Sequence, residues 1–172
     1  MKKAILFIAT LAVAVAAVSC GNKSSNNLTA EEAAKMDKAM AEIKTEAAEG
    51  NAYIEEQMKA DPELKKTKSG LVYKIVKPGS GENFKETDAV DVIYCGKHIN
   101  GQVFDQKTEP VKFPLSNVVP GFREMLMLMN PGAKAYCIIP PSLGYGAQGV
   151  PQGGIQPNET LIFELEAVGL SK

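Results

Sequence analysis

Residues 89–105, AVDVIYCGKHINGQVFD, decide the fold because they contain two strands joined by a tight turn. Residues 89–99 include several of the β-branched and aromatic side chains that favour a strand. Asn100-Gly101 is a residue pair typical of two-residue hairpin turns, and residues 102–105 form the return strand. The stretch therefore predicts an antiparallel β-hairpin.

The segments around this hairpin predict further strands and one short helix. The strands are expected at residues 71–77, 111–113, 133–139 and 160–170, with a loop at 105–110 interrupting the return strand of the hairpin. Pro120 suits the first position of a helix, which is expected to run to residue 129 and to end at Asn130-Pro131-Gly132. Together these elements predict an α+β fold in which antiparallel strands surround one short helix.

Residues 140–158 form a long loop rich in Gly and Pro, and loops of this length in a compact domain are generally functional. Within the loop, residues 144–149 match the letters G-x-G-x-x-G. A dinucleotide site needs this motif between a strand and the start of a helix, but prolines lie on both sides of it here. The motif therefore does not indicate a nucleotide site.

The composition excludes several classes of function. The chain has 172 residues with 19 basic and 20 acidic side chains, and this net charge of −1 argues against a nucleic-acid partner. Three Cys are too few for a disulfide scaffold, and one His is too few for a His-rich metal centre. No carboxylate pair or activated nucleophile is evident, so neither a metal nor a cofactor is expected.

The single histidine and two of the cysteines leave structural questions open. His98 lies at the end of a predicted strand, close to the hairpin turn, which favours a solvated side chain over a catalytic base. Cys95 and Cys137 lie in the middle of strands, where they could be buried thiols, a disulfide or a reactive pair. The sequence lacks C-x-x-C spacing, which disfavours the reactive pair, but it does not decide between the other two.

The first 19 residues have the pattern of a secretory signal. Lys2 and Lys3 precede an apolar run at residues 4–18, which is short for a transmembrane helix, and small residues follow. Residues 17–20, Ala-Val-Ser-Cys, resemble the bacterial lipobox, in which the Cys is acylated and begins the mature chain. The prediction is a lipoprotein anchored through Cys20, the alternative being an ordinary cleaved signal. Residues 20–27 would be a flexible tether.

This targeting prediction has consequences for location and charge. Removing residues 1–19 takes away two lysines and no acids, which leaves 17 basic against 20 acidic residues, a net charge of −3. The residue after the lipidated Cys20 is Gly21 rather than the Asp that retains some lipoproteins at the inner membrane. We therefore expect a lipoprotein of the cell envelope, at the outer membrane and facing the periplasm.

Residues 28–62 predict a helical arm. Thr29 to Glu32 has the form of a capping box, and an apolar stripe recurs at alternating steps of three and four. The stripe consists of Ala33, Met36, Met40, Ile43 and Ala47. Gly50-Asn51 is expected to interrupt the helix, a second helix to cover residues 52–60, and residues 63–69 to be a solvated linker. The arm could form a dimer, pack on its own domain or be partly ordered. The main domain is then residues 63–172.

Five motifs of the main domain resemble, in order and separation, the FKBP family of peptidyl-prolyl cis-trans isomerases. They are residues 92–96 VIYCG, 101–105 GQVFD, 118–122 VVPGF, 143–146 LGYG and 155–163 IQPNETLIF. The secretion signal and helical arm resemble the bacterial envelope branch typified by the macrophage infectivity potentiator proteins, which dimerise through N-terminal helices. The resemblance implies an antiparallel half-barrel sheet wrapped around one short helix.

The resemblance also implies a site, transferred motif by motif. The catalytic residues would be Tyr94, Phe104, Asp105, Tyr145 and Phe163, and the substrate-binding residues would be Val118, Val119, Phe122 and Ile155. Three aromatic side chains, Tyr94, Phe104 and Phe163, would form the walls of a pocket for a proline ring, and Phe122 its floor. Asp105 would be hydrogen-bonded towards the Tyr94 hydroxyl, Tyr145 and the Val119 amide would donate to substrate, and Ile155 would close the rim.

Two positions depart from the family pattern. Phe122 stands where Trp is most frequent, and Val111 stands where vertebrate members have an aromatic residue. The implied function is isomerisation of X–Pro bonds during folding of secreted or envelope proteins, which needs no nucleophile because no covalent bond is made or broken. Expected partners are proline-containing unfolded polypeptides and macrolides of the FK506 type. The alternatives are a peptide-binding or chaperone module with little turnover, and a lipid-anchored structural protein.

Overall fold

The computed structural model describes residues 30–171. The predictions for the signal, Cys20, the tether and the Thr29 cap lie outside these residues, as does the side chain of Ile43. The helices are α1 (Ala30–Ala60) and α2 (Pro120–Met127), and the strands are β1 (Lys65–Lys66), β2 (Val72–Lys77), β3 (Ala89–His98), β4 (Val103–Pro114), β5 (Lys134–Ile139) and β6 (Leu161–Leu170).

The six strands form one antiparallel sheet in the order β1-β2-β5-β6-β3-β4. The predicted hairpin is confirmed: the His98 carbonyl accepts the Gly101 amide at 2.9 Å, and Gly101 has φ of +85°, which a Gly adopts without strain. The α+β fold with one short helix against an antiparallel sheet is confirmed as well. The long loop between β5 and β6 contains three 3₁₀ turns.

Each face of the sheet is covered by one helix. Helix α2 packs on the inner face, where Met125 and Leu126 are fully buried against strand residues such as Leu161. The last turns of α1 cover part of the outer face, where Ile54 and Val72 belong to a second buried cluster. The sheet is therefore a central layer, with the larger core on the side of α2.

Helix α1 is continuous, so the predicted interruption at Gly50-Asn51 is wrong. Gly50 is buried, and a Cβ atom placed on it would lie 2.1 Å from Oγ1 of Thr160. Gly is therefore present at this position because the helix approaches the domain very closely, and tertiary packing outweighs its low helix propensity. The C-terminal part of α1 packs on its own domain, whereas Met36 and Met40 are 51% and 65% exposed.

Two predicted loops are partly strand. Lys65 and Lys66 of the expected linker pair with β2, and Leu64 beside them is buried. The expected loop at 105–110 belongs to β4, which runs without a break from Val103 to Pro114. The register of β3 and β4 shifts between Val92 and Tyr94, where β4 contains the extra residues. The predicted loop at 105–110 is therefore wrong: the extra residues form a bulge within one continuous strand.

Within residues 30–171, neither helix combines the length and apolar character that crossing a bilayer would require.

Candidate functional site

A pocket of about 260 Å³ opens between the inner face of the sheet and the start of α2. Strands β3, β4 and β6, helix α2 and the loop after β5 each contribute to it. Its lining is Tyr94, Phe104, Asp105, Phe113, Asn117, Val118, Val119, Phe122, Tyr145 and Phe163. Eight of the nine residues expected to catalyse or to bind substrate lie together here, although they are distributed over the chain from Tyr94 to Phe163.

Phe122 forms the floor of the pocket. Its side chain is 5% exposed, and its ring lies 5.5 Å from those of Phe113 and Phe163 and 6.1 Å from that of Tyr94. Most of these contacts are edge-to-face, an arrangement that aromatic pairs prefer. Phe104 continues the wall, at 5.6 Å from Phe163. The cavity is therefore bordered by ring faces and edges that accept an apolar ring.

Gly96 makes the close packing of two wall residues possible. A Cβ atom at this position would lie 2.6 Å from Cζ of Phe104 and 2.9 Å from Cε1 of Phe163. The glycine lies near the end of β3, paired with Phe163 on β6. The space that its missing side chain leaves is filled by the two rings, so this residue determines the shape of the pocket wall.

A hydrogen bond fixes the polar edge of the pocket. The Tyr94 hydroxyl donates to Oδ2 of Asp105 at 2.6 Å. Burial and this carboxylate both raise the pKa of Tyr94 well above its usual value. Burial and the charge of Asp105 raise the pKa of Tyr145 in the same direction. Both phenols therefore keep their protons at neutral pH and remain hydrogen-bond donors.

Tyr145 and Val119 present groups suited to bind a peptide. Tyr145 is 37% exposed and begins a 3₁₀ turn in the loop, and its hydroxyl has no hydrogen-bond partner among residues 30–171. Val119 precedes Pro120 at the start of α2, and its carbonyl accepts the Arg123 amide at 3.1 Å. The first amides of a helix lack intrahelical acceptors, which leaves a donor at this end of the pocket.

One expected residue lies elsewhere, and two pocket residues were not expected. Ile155 is 4% exposed in the core, forms a bridge with Val150, and is not part of the pocket lining. Phe113 and Asn117 line the pocket, whereas Val111 does not. Val111 and Phe113 alternate along a strand, so the sequence indicated that they share one face of the sheet. The wrongly predicted loop at 105–110 left open which face that is, and so Phe113 was not expected in the pocket.

The expectation of a solvated His98 is wrong. Its side chain is 13% exposed, and Nδ1 is hydrogen-bonded to Oε1 of Glu159, which is 7% exposed. Glu46 and Glu49 of α1 lie beside this pair, and burial followed by the charges of Glu49 and Glu159 raises the pKa of Glu46. Within residues 30–171, no three His, Cys, Asp or Glu side chains are grouped so that they could hold a metal.

Cys95 and Cys137 are both free thiols. They flank β6, but Cys95 is opposite Glu164 and Cys137 is opposite Phe163, so they point to different faces of the sheet. A disulfide between them is therefore excluded. Burial raises the pKa of the Cys137 thiol, which makes it unreactive, while Cys95 is partly exposed on the outer face.

A larger groove of about 700 Å³ lies on the outer face of the sheet, beside the end of α1. Two of the three lysines that line it are already paired: Lys74 contacts Asp61 at 2.6 Å, and Lys134 contacts Glu166 at 2.8 Å. It has no counterpart to the convergent rings and unpartnered hydroxyl of the smaller pocket. The smaller, aromatic pocket is therefore the candidate site.

Comparison with known proteins decides the family. Residues 80–168 match the FKBP-type peptidyl-prolyl cis-trans isomerase family, and residues 7–75 match the domain that lies amino-terminal to such isomerases. The chain belongs to this family. The matched region contains every residue that lines the aromatic pocket.

Relatives of the chain include a probable FKBP-type peptidyl-prolyl cis-trans isomerase of Haemophilus influenzae, which is 42% identical over 81% of this chain and 58% of its own length. The peptidyl-prolyl cis-trans isomerase Mip of Coxiella burnetii is 42% identical over 66% of this chain and 50% of its own. The crystal structure of FkpA from Escherichia coli superposes with a TM-score of 0.74 at 34% identity, covering 84% of this chain and 74% of that one. The chain thus spans about half the length of the curated relatives it matches.

Proposed function

We propose that this family member catalyses cis-trans isomerisation of X–Pro bonds in extended or unfolded polypeptides. The observation that carries the proposal is the pocket itself, in which aromatic rings surround a cavity edged by the Tyr94–Asp105 hydrogen bond and the unpartnered Tyr145 hydroxyl. A proline ring fits the apolar floor formed by Phe122. The flanking peptide then lies across Val118 and Val119.

Such a pocket accelerates rotation without forming a covalent bond. The barrier of about 18–20 kcal/mol to rotation about an amide arises from resonance, which also makes the planar form more polar than the twisted one. An aromatic cavity therefore disfavours the planar imide relative to the twisted imide, and this difference lowers the barrier. The Tyr145 hydroxyl and the Val119 amide hold the adjacent carbonyls, while Asp105 orients Tyr94.

The decisive experiment is cis-trans exchange in an Ala-Leu-Pro-Phe peptide, measured with the mature chain. Phe104→Ala removes part of the aromatic wall and Asp105→Leu removes the acceptor of the Tyr94 hydroxyl, so each is expected to lower kcat/KM by about tenfold or more. Tyr145→Phe removes one hydrogen bond of about 1 kcal/mol and is expected to lower kcat/KM roughly fivefold.

Tyr73→Phe is the matched control for Tyr145→Phe, since Tyr73 packs against the core outside the pocket. It is expected to leave the rate unchanged. A folded wild-type protein that binds the peptide without accelerating exchange would favour the alternative, a peptide-binding or chaperone module. The presence of Phe122, where the family most often has Trp, is the sequence feature that favours this peptide-binding or chaperone alternative.

Macrolides of the FK506 type are the proposed competing ligands, since they would occupy the same apolar pocket. Addition of FK506 is expected to inhibit exchange, and Phe104→Ala is expected to weaken the inhibition. Inhibition that is unchanged in Phe104→Ala would place the macrolide elsewhere.

A dimer through the arm is the proposed assembly. Met36 and Met40 are large apolar side chains that remain exposed on α1, away from the part of the helix that packs on the domain. Sedimentation of residues 20–172 is expected to give the mass of a dimer. The double variant Met36→Glu, Met40→Glu is expected to be folded and to give the mass of a monomer. Equal masses for the two proteins would contradict the proposal.

Anchorage in the cell envelope is proposed from residues 1–21, with Cys20 carrying the lipid and the protein held at the outer membrane, facing the periplasm. Acyl chains contribute about 0.8 kcal/mol per buried CH₂, so two or more hold a protein firmly. The wild type is expected to incorporate labelled fatty acid and to be recovered in the outer-membrane fraction. Both results are expected to be lost in Cys20→Ser. Label that persists in Cys20→Ser would reject lipidation at this residue.

A further inference from the structure

His98 and Glu159 form a buried pair directly behind the aromatic pocket. They are 61 positions apart in the chain, and neither side chain is more than 13% exposed. Polar side chains that are buried this far require partners, because an unpaired one destabilises the fold. The Nδ1 atom of His98 and Oε1 of Glu159 satisfy each other. The pair joins the turn end of the hairpin to the segment before β6.

Glu159 holds the loop that carries Tyr145. Its second carboxylate oxygen, Oε2, accepts the Gln156 amide at 2.7 Å. Within the same turn the Asn158 amide donates to the Gly146 carbonyl at 2.8 Å, and Gly146 directly follows Tyr145. The carboxylate therefore fixes the short turn at 156–159 that secures the Tyr145 end of the loop.

His98 holds the opposite wall. Its ring lies 5.2 Å from that of Phe104 in an edge-to-face arrangement. Its amide donates to the Gln102 carbonyl at 2.8 Å, which closes the hairpin that carries Phe104 and Asp105. The ring of His98 thus touches one wall of the pocket, while its Nδ1 atom is bonded to the residue that fixes the other.

We propose that the His98–Glu159 pair is a positioning device for the proline pocket and sets the distance between the Phe104 wall and the Tyr145 hydroxyl. This inference rests on the proposed isomerase function. Neither residue lines the pocket, so both act through residues that do. Because the two walls come from distant parts of the chain, a link between their supports is needed to hold a twisted imide between ring and donor.

The test separates positioning from stability by removing both partners together. His98→Leu alone leaves a buried carboxylate without its partner and is expected to destabilise the fold. His98→Leu combined with Glu159→Leu removes the uncompensated group, so its urea midpoint is expected to return towards that of the wild type. Its kcat/KM is nevertheless expected to fall about tenfold, because the walls are no longer linked. Glu159→Gln keeps a hydrogen bond to each partner and is expected to retain activity within about twofold.

The matched control is Glu164→Gln, which alters a carboxylate of β6 whose partner, Lys97, also lies on β3 but outside the pocket. It is expected to leave kcat/KM unchanged. The inference is overturned if the double leucine variant is folded with wild-type kcat/KM. If the double leucine variant does not fold, Glu159→Gln is compared with His98→Leu instead. An equal loss of activity in these two variants overturns the inference as well.

A second readout is independent of catalysis. Hydrogen exchange of the Asn158 amide is expected to accelerate about tenfold in the double leucine variant and to stay unchanged in Glu164→Gln. If the wild type does not catalyse cis-trans isomerisation of the peptide, the proposed function fails. Hydrogen exchange of the Asn158 amide still tests the inference in that case. Unaltered protection of Asn158 in the folded double variant shows that the pair does not hold the loop and overturns it.

Discussion

Adding one methyl group at Gly96 tests whether the shape of the pocket wall determines catalysis. In Gly96→Ala the new Cβ would lie 2.6 Å from Cζ of Phe104 and 2.9 Å from Cε1 of Phe163. To reach an ordinary contact of 3.4 Å, the Phe104 ring must retreat by about 0.8 Å and the Phe163 ring by about 0.5 Å. Phe163 is 4% exposed in the core, whereas Phe104 is only half-buried, so Phe104 makes most of the movement.

Two opposing effects determine the change in stability. Overpacking of a core by one methyl group destabilises by about 1–3 kcal/mol. Replacing Gly by Ala within a strand gains about 0.5–1 kcal/mol from the lower entropy of the unfolded chain. The expected net loss of stability is therefore at most about 2.5 kcal/mol, with a central value of about 1 kcal/mol. Displacement of a pocket wall by nearly 1 Å is expected to reduce kcat/KM between about tenfold and a hundredfold.

The assays are urea unfolding and exchange in the Ala-Leu-Pro-Phe peptide. Gly169→Ala is the control, because Gly169 also lies within a strand but has no atom within 4 Å of the added Cβ. It is expected to be as stable as the wild type or slightly more stable, with unchanged activity. Wild-type kcat/KM in a folded Gly96→Ala protein would refute the argument that this glycine shapes the site.

Three further predictions concern the arm, alkaline pH and the thiols. Gly50→Ala is expected to destabilise the contact of α1 with Thr160 by about 1–2 kcal/mol despite better helix propensity, with amide exchange rising in that part of the helix. Above about pH 10, the urea midpoint of unfolding is expected to fall as the pH rises. The reason is that burial and a neighbouring carboxylate raise the pKa of Tyr94 in the folded state only, so the unfolded chain loses this proton first. A urea midpoint that rises with pH in this range would contradict the prediction. Iodoacetamide is expected to modify Cys95 in the native protein and Cys137 only after unfolding, as peptide mapping would reveal.

The features that the sequence predicted correctly are those with a local signal. The hairpin follows from Asn100-Gly101, and Pro120 marks the start of α2. The site residues were predicted through resemblance, since a single aromatic residue in a strand does not distinguish a pocket wall from ordinary core. Gly50 and the bulge in β4 could not be predicted, because both depend on contacts with distant parts of the chain. Local propensity favours a helix break at Gly50, whereas the position of Thr160 requires glycine there.

His98 and Glu159 show the same limit for polar residues, and they also show where the specificity of this fold resides. A lone histidine at a strand end and a glutamate before a strand are each typical of a solvated surface. In the folded chain both are largely buried and each supplies the other with a hydrogen-bond partner, and no periodicity links residues 61 positions apart. The aromatic pocket in front of them needs only apolar rings and a few donors. In the proposed positioning role, the pair adds a directional hydrogen bond to the aromatic packing that holds those rings at a defined separation.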